Sequence, residues 1–474
     1  MKQKENFSRL PVIFAAALFL LFVFPCLVRE FWFDEALTLM NFAWLADPVK
    51  IYSSYVIPNN QIFFTICLHY WSLLPRLGLR EDFFLRLLPL GFAGGTLWVL
   101  YQNFRSYLGR NTLLISLTAL ALSSPFLIYA TALRGYMASA FFVSCTLVWA
   151  RAWIKNPSWR TGIKYFIGCL LAVGTIPSNL LALGGVVLFL LPQTGKEFWR
   201  LKRFWFLGAI PFIALVVFYF PILSSFLCVC RLGEGWQSRI GVTGAYFTAV
   251  AAVFGILWIP CLLWSLRRKK NLYIIGIMLL PLIAAFVLPT APFPRVFFPL
   301  FPVLVLGIAR GLHGFKAMGR KKYGRKVLPW WETAAAIAVL VCAWTLKQEK
   351  ALNILSDLCG GPGGDDFFYG YYMRKDHVPQ QTALQLQKIY GENPLPAVYI
   401  SFAADPWPVM YYMLSNNLQS KFLFDGPRGR VEALPVGSLV IISQQEKPQS
   451  ITERFQCSLK LLCQNPKHQI FLVE

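Results

Sequence analysis

"LPVIFAAALFLLFVFPCLVREFWFDEALTL", Leu10 to Leu39, is an apolar run that ends abruptly at a polar edge. No charge interrupts it from Pro11 to Val28, and as a helix that length crosses most of the roughly 30 Å of hydrocarbon in a bilayer. Charge returns at Arg29 and Glu30, and just beyond them two adjacent carboxylates, Asp34 and Glu35, stand among Phe31, Trp32, Phe33 and Leu37. Charged groups at a membrane rim are costly to keep and mark a site more often than chance would. The bland reading is that Asp34 caps a helix beginning near Glu35.

The rest of the chain agrees with a membrane setting. Its 474 residues are 57% hydrophobic, 16% aromatic and 14% charged, which excludes an ordinary soluble domain. Further apolar runs lie near 83–104, 112–131, 136–153, 204–225, 245–266, 272–290, 295–312 and 329–346. A shorter pair near 164–176 and 179–193 is parted by "GTIPSN", whose Gly174, Pro177 and Asn179 suit a tight turn between two helices. The fold class expected is a polytopic α-helical membrane protein of about eleven transmembrane helices.

The net charge of +23 is not a nucleic-acid footprint, because it sits in short runs between apolar segments. Arg105 and Arg110, Arg151 to Lys164, Lys196 to Arg203, "RRKK" 267–270 and "KAMGRKKYGRK" 316–326 all fall on one side under that span count. The positive-inside rule makes that side the cytoplasm, with the amino terminus inside and the carboxyl terminus outside. No small-x-small site follows the first run, so it reads as an uncleaved anchor. The one Asn-x-Ser/Thr acceptor, Asn6-Phe7-Ser8, is cytoplasmic, which leans toward a bacterial inner membrane. The eleven cysteines are scattered and lack metal-ligand spacing with histidine; Cys457 and Cys463 lie outside and are able to pair there.

Two outward regions are large. The first, 30–82, reads as interfacial helices, "EALTLMNFAWLAD" and "NNQIFFTICLHYWSLL", punctuated by Pro48, Pro58 and Pro75. The second follows the Gly-rich "CGGPGGDD" 359–366 with a helical stretch near 380–390, strand-like "AVYISF", "KFLFD" and "SLVIIS", and a helix at "DPWPVMYYML". The expected division is a transmembrane domain over 1–347 and a small extracytoplasmic α/β domain over 348–474. No internal repeat is visible, which weighs against a transporter built from inverted halves.

Other candidate residues face the same compartment. Asn59, Asn60 and Gln61 offer neutral donors and acceptors at a helix start, where capping is the plain alternative. Arg134, followed by Tyr136, falls in a short outward turn, and Arg295 in "PTAPFPRVFFPLFP" occupies the equivalent place between later spans. Either is explained by snorkelling from a span end. Together, two isolated arginines on the charge-poor side suggest an anion site.

In order and spacing these segments resemble the GT-C superfamily of integral-membrane glycosyltransferases, in particular the branch of protein O-mannosyltransferases and bacterial aminoarabinose transferases. "WFDEA" 32–36 is similar to that family's acidic motif, and "NNQIFFTICLHYW" 59–71 with "FFLRLLPLGFAG" 83–94 to its asparagine- or histidine-led segment and second span. "SSPFLIYATALRGYMA" 123–138 resembles its R-x-Y turn, and "PRVFFPLFP" 294–302 its late arginine-proline span. The likeness covers roughly the first 310 residues. It departs where Gln61 or a neighbouring asparagine stands in place of a histidine, and where Ala132 stands two residues before Arg134 in place of a glutamate.

The resemblance implies transfer of a sugar from a polyprenyl-phosphate donor to a glycan, lipid or protein acceptor on the outer face, with membrane lipids around it and no nucleic acid. Asp34 is then the base that takes the acceptor proton, assisted by Glu35 through orientation or through a shared divalent metal ion. Arg134 and Arg295 bind the donor phosphate, and Asn59, Asn60, Gln61 and Tyr136 contact acceptor or donor. A lipid or lipid-linked sugar flippase is the leading alternative, and an envelope polymerase or ligase a further one.

Overall fold

The computed structural model of the chain describes residues 10–45, 47–191, 202–231, 239–254, 273–287, 292–323, 328–345, 377–391, 393–425 and 430–474. The basic runs at 196–200 and 267–270, the far part of the run at 245–266 and the Gly-rich 359–366 lie outside these residues. Two compact units result: Met1–Leu27 with Ala46–Tyr372, and Val28–Leu45 with Met373–Glu474. The opening stretch is therefore divided. Helix α1, Leu10–Leu27, belongs to the first unit, while the short α2, Phe33–Thr38, groups with the carboxyl-terminal residues and not with the rest of the 30–82 loop.

The first unit is helical throughout its described residues. After α3 (Pro48–Ser53) and α4 (Ile62–Ser72) come α5 (Glu81–Leu108), α6 (Arg110–Ala121), α7 (Ser124–Tyr129) and α8 (Tyr136–Lys155). Then follow α9 (Trp159–Thr175), α10 (Asn179–Leu190), α11 (Lys202–Tyr219), α12 (Leu223–Arg231), α13 (Arg239–Phe254), α14 (Tyr273–Val287), α15 (Phe301–Tyr323) and α16 (Leu328–Thr345). Among the described residues, five helices are long and apolar enough to cross a membrane: Leu10–Leu27, Glu81–Leu108, Tyr136–Lys155, Trp205–Cys230 and Pro294–Met318. Ile62–Ser72, Asn179–Leu190 and Tyr273–Val287 are apolar but shorter.

The run expected as one span over 112–131 is two helices. Backbone at Ser123 is extended and Pro125 sits in the first turn of α7, so the α6 ladder cannot continue through it. The "GTIPSN" turn takes the expected form, and Asn179 secures it: its Nδ2 donates to Ala172 O at 2.7 Å on α9 and to Ser139 Oγ at 2.7 Å on α8. Close packing of α5 on α8 depends on Gly95, where a Cβ would come within 2.8 Å of the Phe141 ring. Before α15, Pro294–Leu300 forms a tighter 3₁₀ segment, as Pro294, Pro299 and Pro302 remove donors that an α-helix would use.

The second unit holds a five-stranded mixed sheet among its described residues, in the order β2-β1-β3-β5-β4. Strands β1 (Val398–Ile400), β2 (Phe422–Leu423) and β3 (Leu439–Ser443) run parallel, and the β4–β5 hairpin (Leu459–Gln464, His468–Val473) adds antiparallel to β3. Helices α17 (Pro379–Tyr390), α18 (Pro406–Ser415) and α19 (Pro448–Phe455) complete it. All five residues of β3 are buried, as a central strand covered on both faces requires. Tyr399, Val440, Ile442, Ile451, Phe455 and Phe471 form one core. Cys457 and Cys463 are free thiols.

Candidate active site

The acidic motif is organised by its own arginine. Helix α2 starts at Phe33 with Trp32 as its N-cap, so Asp34 lies inside the first turn and does not cap. Glu35 does the local work: its Oε2 accepts the Trp32 N–H at 3.2 Å and its Oε1 pairs with Arg29 Nη2 at 3.0 Å. Glu35 is 0% exposed, whereas Asp34 is half-buried. The Asp34 carbonyl takes the Thr38 hydroxyl at 2.7 Å, after which the helix widens into a π-turn over Leu39–Ala43. The two adjacent carboxylates are thus unlike in role: one neutralised and enclosed, the other reaching solvent.

That difference bears on a metal. Both Glu35 oxygens are engaged by donors, and among the described residues no group of three or more His, Cys, Asp or Glu is placed to hold an ion.

Residues of the carboxyl-terminal part surround the motif within the second unit. The Phe31 N–H donates to the Tyr412 hydroxyl at 3.0 Å, and the Phe31 carbonyl meets His377 Nε2 at 2.8 Å. Glu30 Oε2 accepts the Gln380 N–H at 2.8 Å in the first turn of α17. Burial lowers the His377 pKa, countered in part by its bond to Phe31. Burial and the nearby Lys467 ammonium push His468 down to about 4.

In the first unit, four of the remaining candidates converge. The turn from Ala130 to Gly135 is buried throughout, and Arg134 is 2% exposed within it. Gln61 accepts the Gly135 N–H through Oε1 and so braces the arginine turn. The Arg134 guanidinium lies 5.7 Å from the Tyr136 ring. Tyr136 meets Tyr129 at 4.9 Å, and Tyr129 meets Phe298 at 4.7 Å. Phe298 is one 3₁₀ turn beyond Arg295, itself buried with its guanidinium 4.2 Å from the Phe293 ring. An aromatic chain therefore joins the two arginine-bearing segments.

Asn60 is elsewhere employed. Its Nδ2 donates to Ile51 O at 2.8 Å and Ser54 O at 3.1 Å, closing the loop between α3 and α4; Asn59 is half-buried beside it. Arg86 escaped the sequence reading. It is 0% exposed on α5, with Nη1 3.5 Å from Leu27 O at the end of α1, where a cation complements the helix dipole. Its signal is a basic residue inside an apolar run. An apolar groove of about 210 Å³ lies among α1, α5 and α6, lined by Val12, Ala16, Phe19, Gly94, Trp98 and Leu117.

No protein-family model and no curated protein matches the chain. Among solved structures, ArnT from Cupriavidus metallidurans bound to undecaprenyl phosphate matches with a TM-score of 0.56 at 15% identity, over 98% of this chain and 98% of that one. The same protein in the apo state gives 0.55 at 15% identity, over 97% of each chain. This chain has the fold of ArnT. The likeness to ArnT runs well past the 310 residues whose motifs carry the resemblance and takes in the carboxyl-terminal sheet domain. In this chain the acidic segment that follows α1 groups with that sheet domain, and the arginine turns lie in the helical unit.

Proposed function

We propose that the chain is a glycosyltransferase that moves a sugar from a polyprenyl-phosphate-linked donor to an acceptor on the outer face of a bacterial inner membrane, with a helical domain of about eleven spans. The observation that carries this is the near-full-length likeness in fold to ArnT, a protein solved with undecaprenyl phosphate bound. The two buried arginines and the unequal carboxylate pair add to it.

Asp34 is the base. An acceptor hydroxyl is a weak nucleophile at neutral pH, and a solvent-reaching carboxylate takes its proton as the new bond to the anomeric carbon forms and the bond to the phosphate oxygen breaks. Glu35 is a positioning residue: with both oxygens occupied, it fixes the first turn of α2 through Arg29 and Trp32. Arg134 and Arg295 serve the other end of the reaction, where the leaving lipid phosphate gains charge that a fixed guanidinium stabilises more in the transition state than in the ground state. The apolar groove beside α1 suits a prenyl chain.

The test is transfer in lipid nanodiscs from a panel of polyprenyl-phosphate sugars, with Asp34→Asn beside wild type. Transfer by wild type and a loss of about 10²-fold or more in Asp34→Asn is expected. Near-normal turnover in that variant sinks the assignment of the base. Movement of carrier lipid across vesicles with no acceptor present, and no transfer, favours a flippase instead.

A further inference from the structure

The backbone on both sides of Phe31 is held by side chains that come from the far end of the sequence. Its N–H is bound by Tyr412, 381 residues away, and its C=O by His377, 346 residues away. One residue earlier, Glu30 receives the Gln380 N–H. The rings are held too: Phe31 is 0% exposed and sits edge-on to Tyr411 at 4.8 Å, and Phe33 meets Phe402 at 5.4 Å. Aromatic burial alone would dock the segment while leaving it free to rotate about its axis. Two directional bonds to one residue's peptide groups remove that freedom three residues before Asp34.

His377 is itself oriented. Its Nδ1 faces Asp405 Oδ2 at 4.0 Å, and Asp405 is ion-paired with Lys467 at the tip of the β4–β5 hairpin. Asp405 stands in the left-handed region with φ of 51°, a conformation that a non-glycine residue keeps only where its surroundings enforce it. The imidazole thus presents Nε2–H to Phe31 as part of a built arrangement, with the charges of Lys467 and Arg29 acting on it.

Resting on the transferase reading above, we infer that His377 and Tyr412 are positioning residues for the reaction: by binding the Phe31 peptide groups, the carboxyl-terminal domain sets the orientation of the helix that carries the Asp34 base. A misplacement of about 1 Å at a reacting group is enough to cost about 10²-fold in rate. Donor binding does not depend on this contact.

Two measurements on the full chain in nanodiscs decide it. Amide hydrogen exchange in His377→Ala and Tyr412→Phe should quicken about 10-fold or more over residues 31–38 while β3 keeps its protection. In the transfer assay, kcat should fall about 10- to 100-fold with donor KM within about 3-fold, and His377→Gln, which retains a donor at the same reach, should restore most of it. Unchanged exchange over 31–38, equal quickening across the whole domain, or unaltered kcat despite quicker exchange each overturns the inference. If wild type transfers no sugar from any carrier, the transferase reading falls, and the exchange result still decides whether the carboxyl-terminal domain holds the acidic segment.

Discussion

Arg29 Nη2 lies 3.0 Å from Glu35 Oε1, with the two side chains only 7% and 0% exposed. An ion pair this enclosed gives modest net stability while intact, but removing one partner strands the other's charge away from water.

The Glu35→Gln variant is therefore expected to lose about 3 kcal/mol or more of stability, and Arg29→Met a similar amount. Asp34→Asn, which reaches solvent, should lose under about 1 kcal/mol. Thermal unfolding in nanodiscs ranks the three, and equal losses at positions 34 and 35 would contradict the division of roles between the carboxylates.

Gly135 makes a close approach rather than an unusual backbone turn. A Cβ there would lie 2.6 Å from Thr175 Cγ2 and 3.0 Å from Gln61 Oε1. Gly135→Ala should cost about 1–3 kcal/mol through overpacking. Gln61→Ala should cost about the same by leaving the buried Gly135 N–H without its acceptor. Thermal unfolding of the two variants and their double mutant checks this, and additive losses would show that the two positions do not share a contact.

Arg134 and Arg295 sit on segments joined through Tyr136, Tyr129 and Phe298. Undecaprenyl phosphate should protect wild type against thermal unfolding, and Arg134→Ala and Arg295→Ala should each abolish that protection while Asp34→Asn keeps it. Protection that survives both substitutions removes the arginines from the phosphate.

Acid should loosen the carboxyl-terminal domain. His468 is held at about 4, and His377 is lowered as well. A histidine whose folded pKa is depressed contributes stability that is complete above its ordinary value near 6.5 and is lost as pH falls through the folded one. Unfolding temperature should therefore drop between about pH 6.5 and pH 4, and the drop should be shallower in His468→Gln. Asp425, held below the usual carboxylate range by Arg454, adds a further loss only at lower pH.

Much of the helical unit is legible from local sequence. Apolar runs mark α1, α5 and α8, and Pro177 with Asn179 marks the turn between α9 and α10, because each signal lies within the element that it specifies. The break at Ser123 is harder to see, since Ser123, Ser124 and Pro125 lie inside an apolar run that reads as one span by hydropathy alone. The β4–β5 hairpin carries a weak local signal because "SLKLLCQNPKHQIFLVE" mixes lysines with its apolar residues. In the site, Asp34, Arg134 and Arg295 stand out as charges at span ends, but the roles of Glu35 and Gln61 depend on what they bond. His377 and Tyr412 carry no local mark, for their significance lies in a residue more than three hundred positions away.

That separation gives synthesis an order. At about 5–20 residues per second, the interval between making Phe31 and making His377 is on the order of twenty to seventy seconds. Throughout it the first helix can already be in the bilayer while the acidic segment still lacks the groups that hold its backbone. A chain cut short anywhere before the carboxyl-terminal domain would insert without an ordered carboxylate, so completion of translation itself becomes a condition for arming the site.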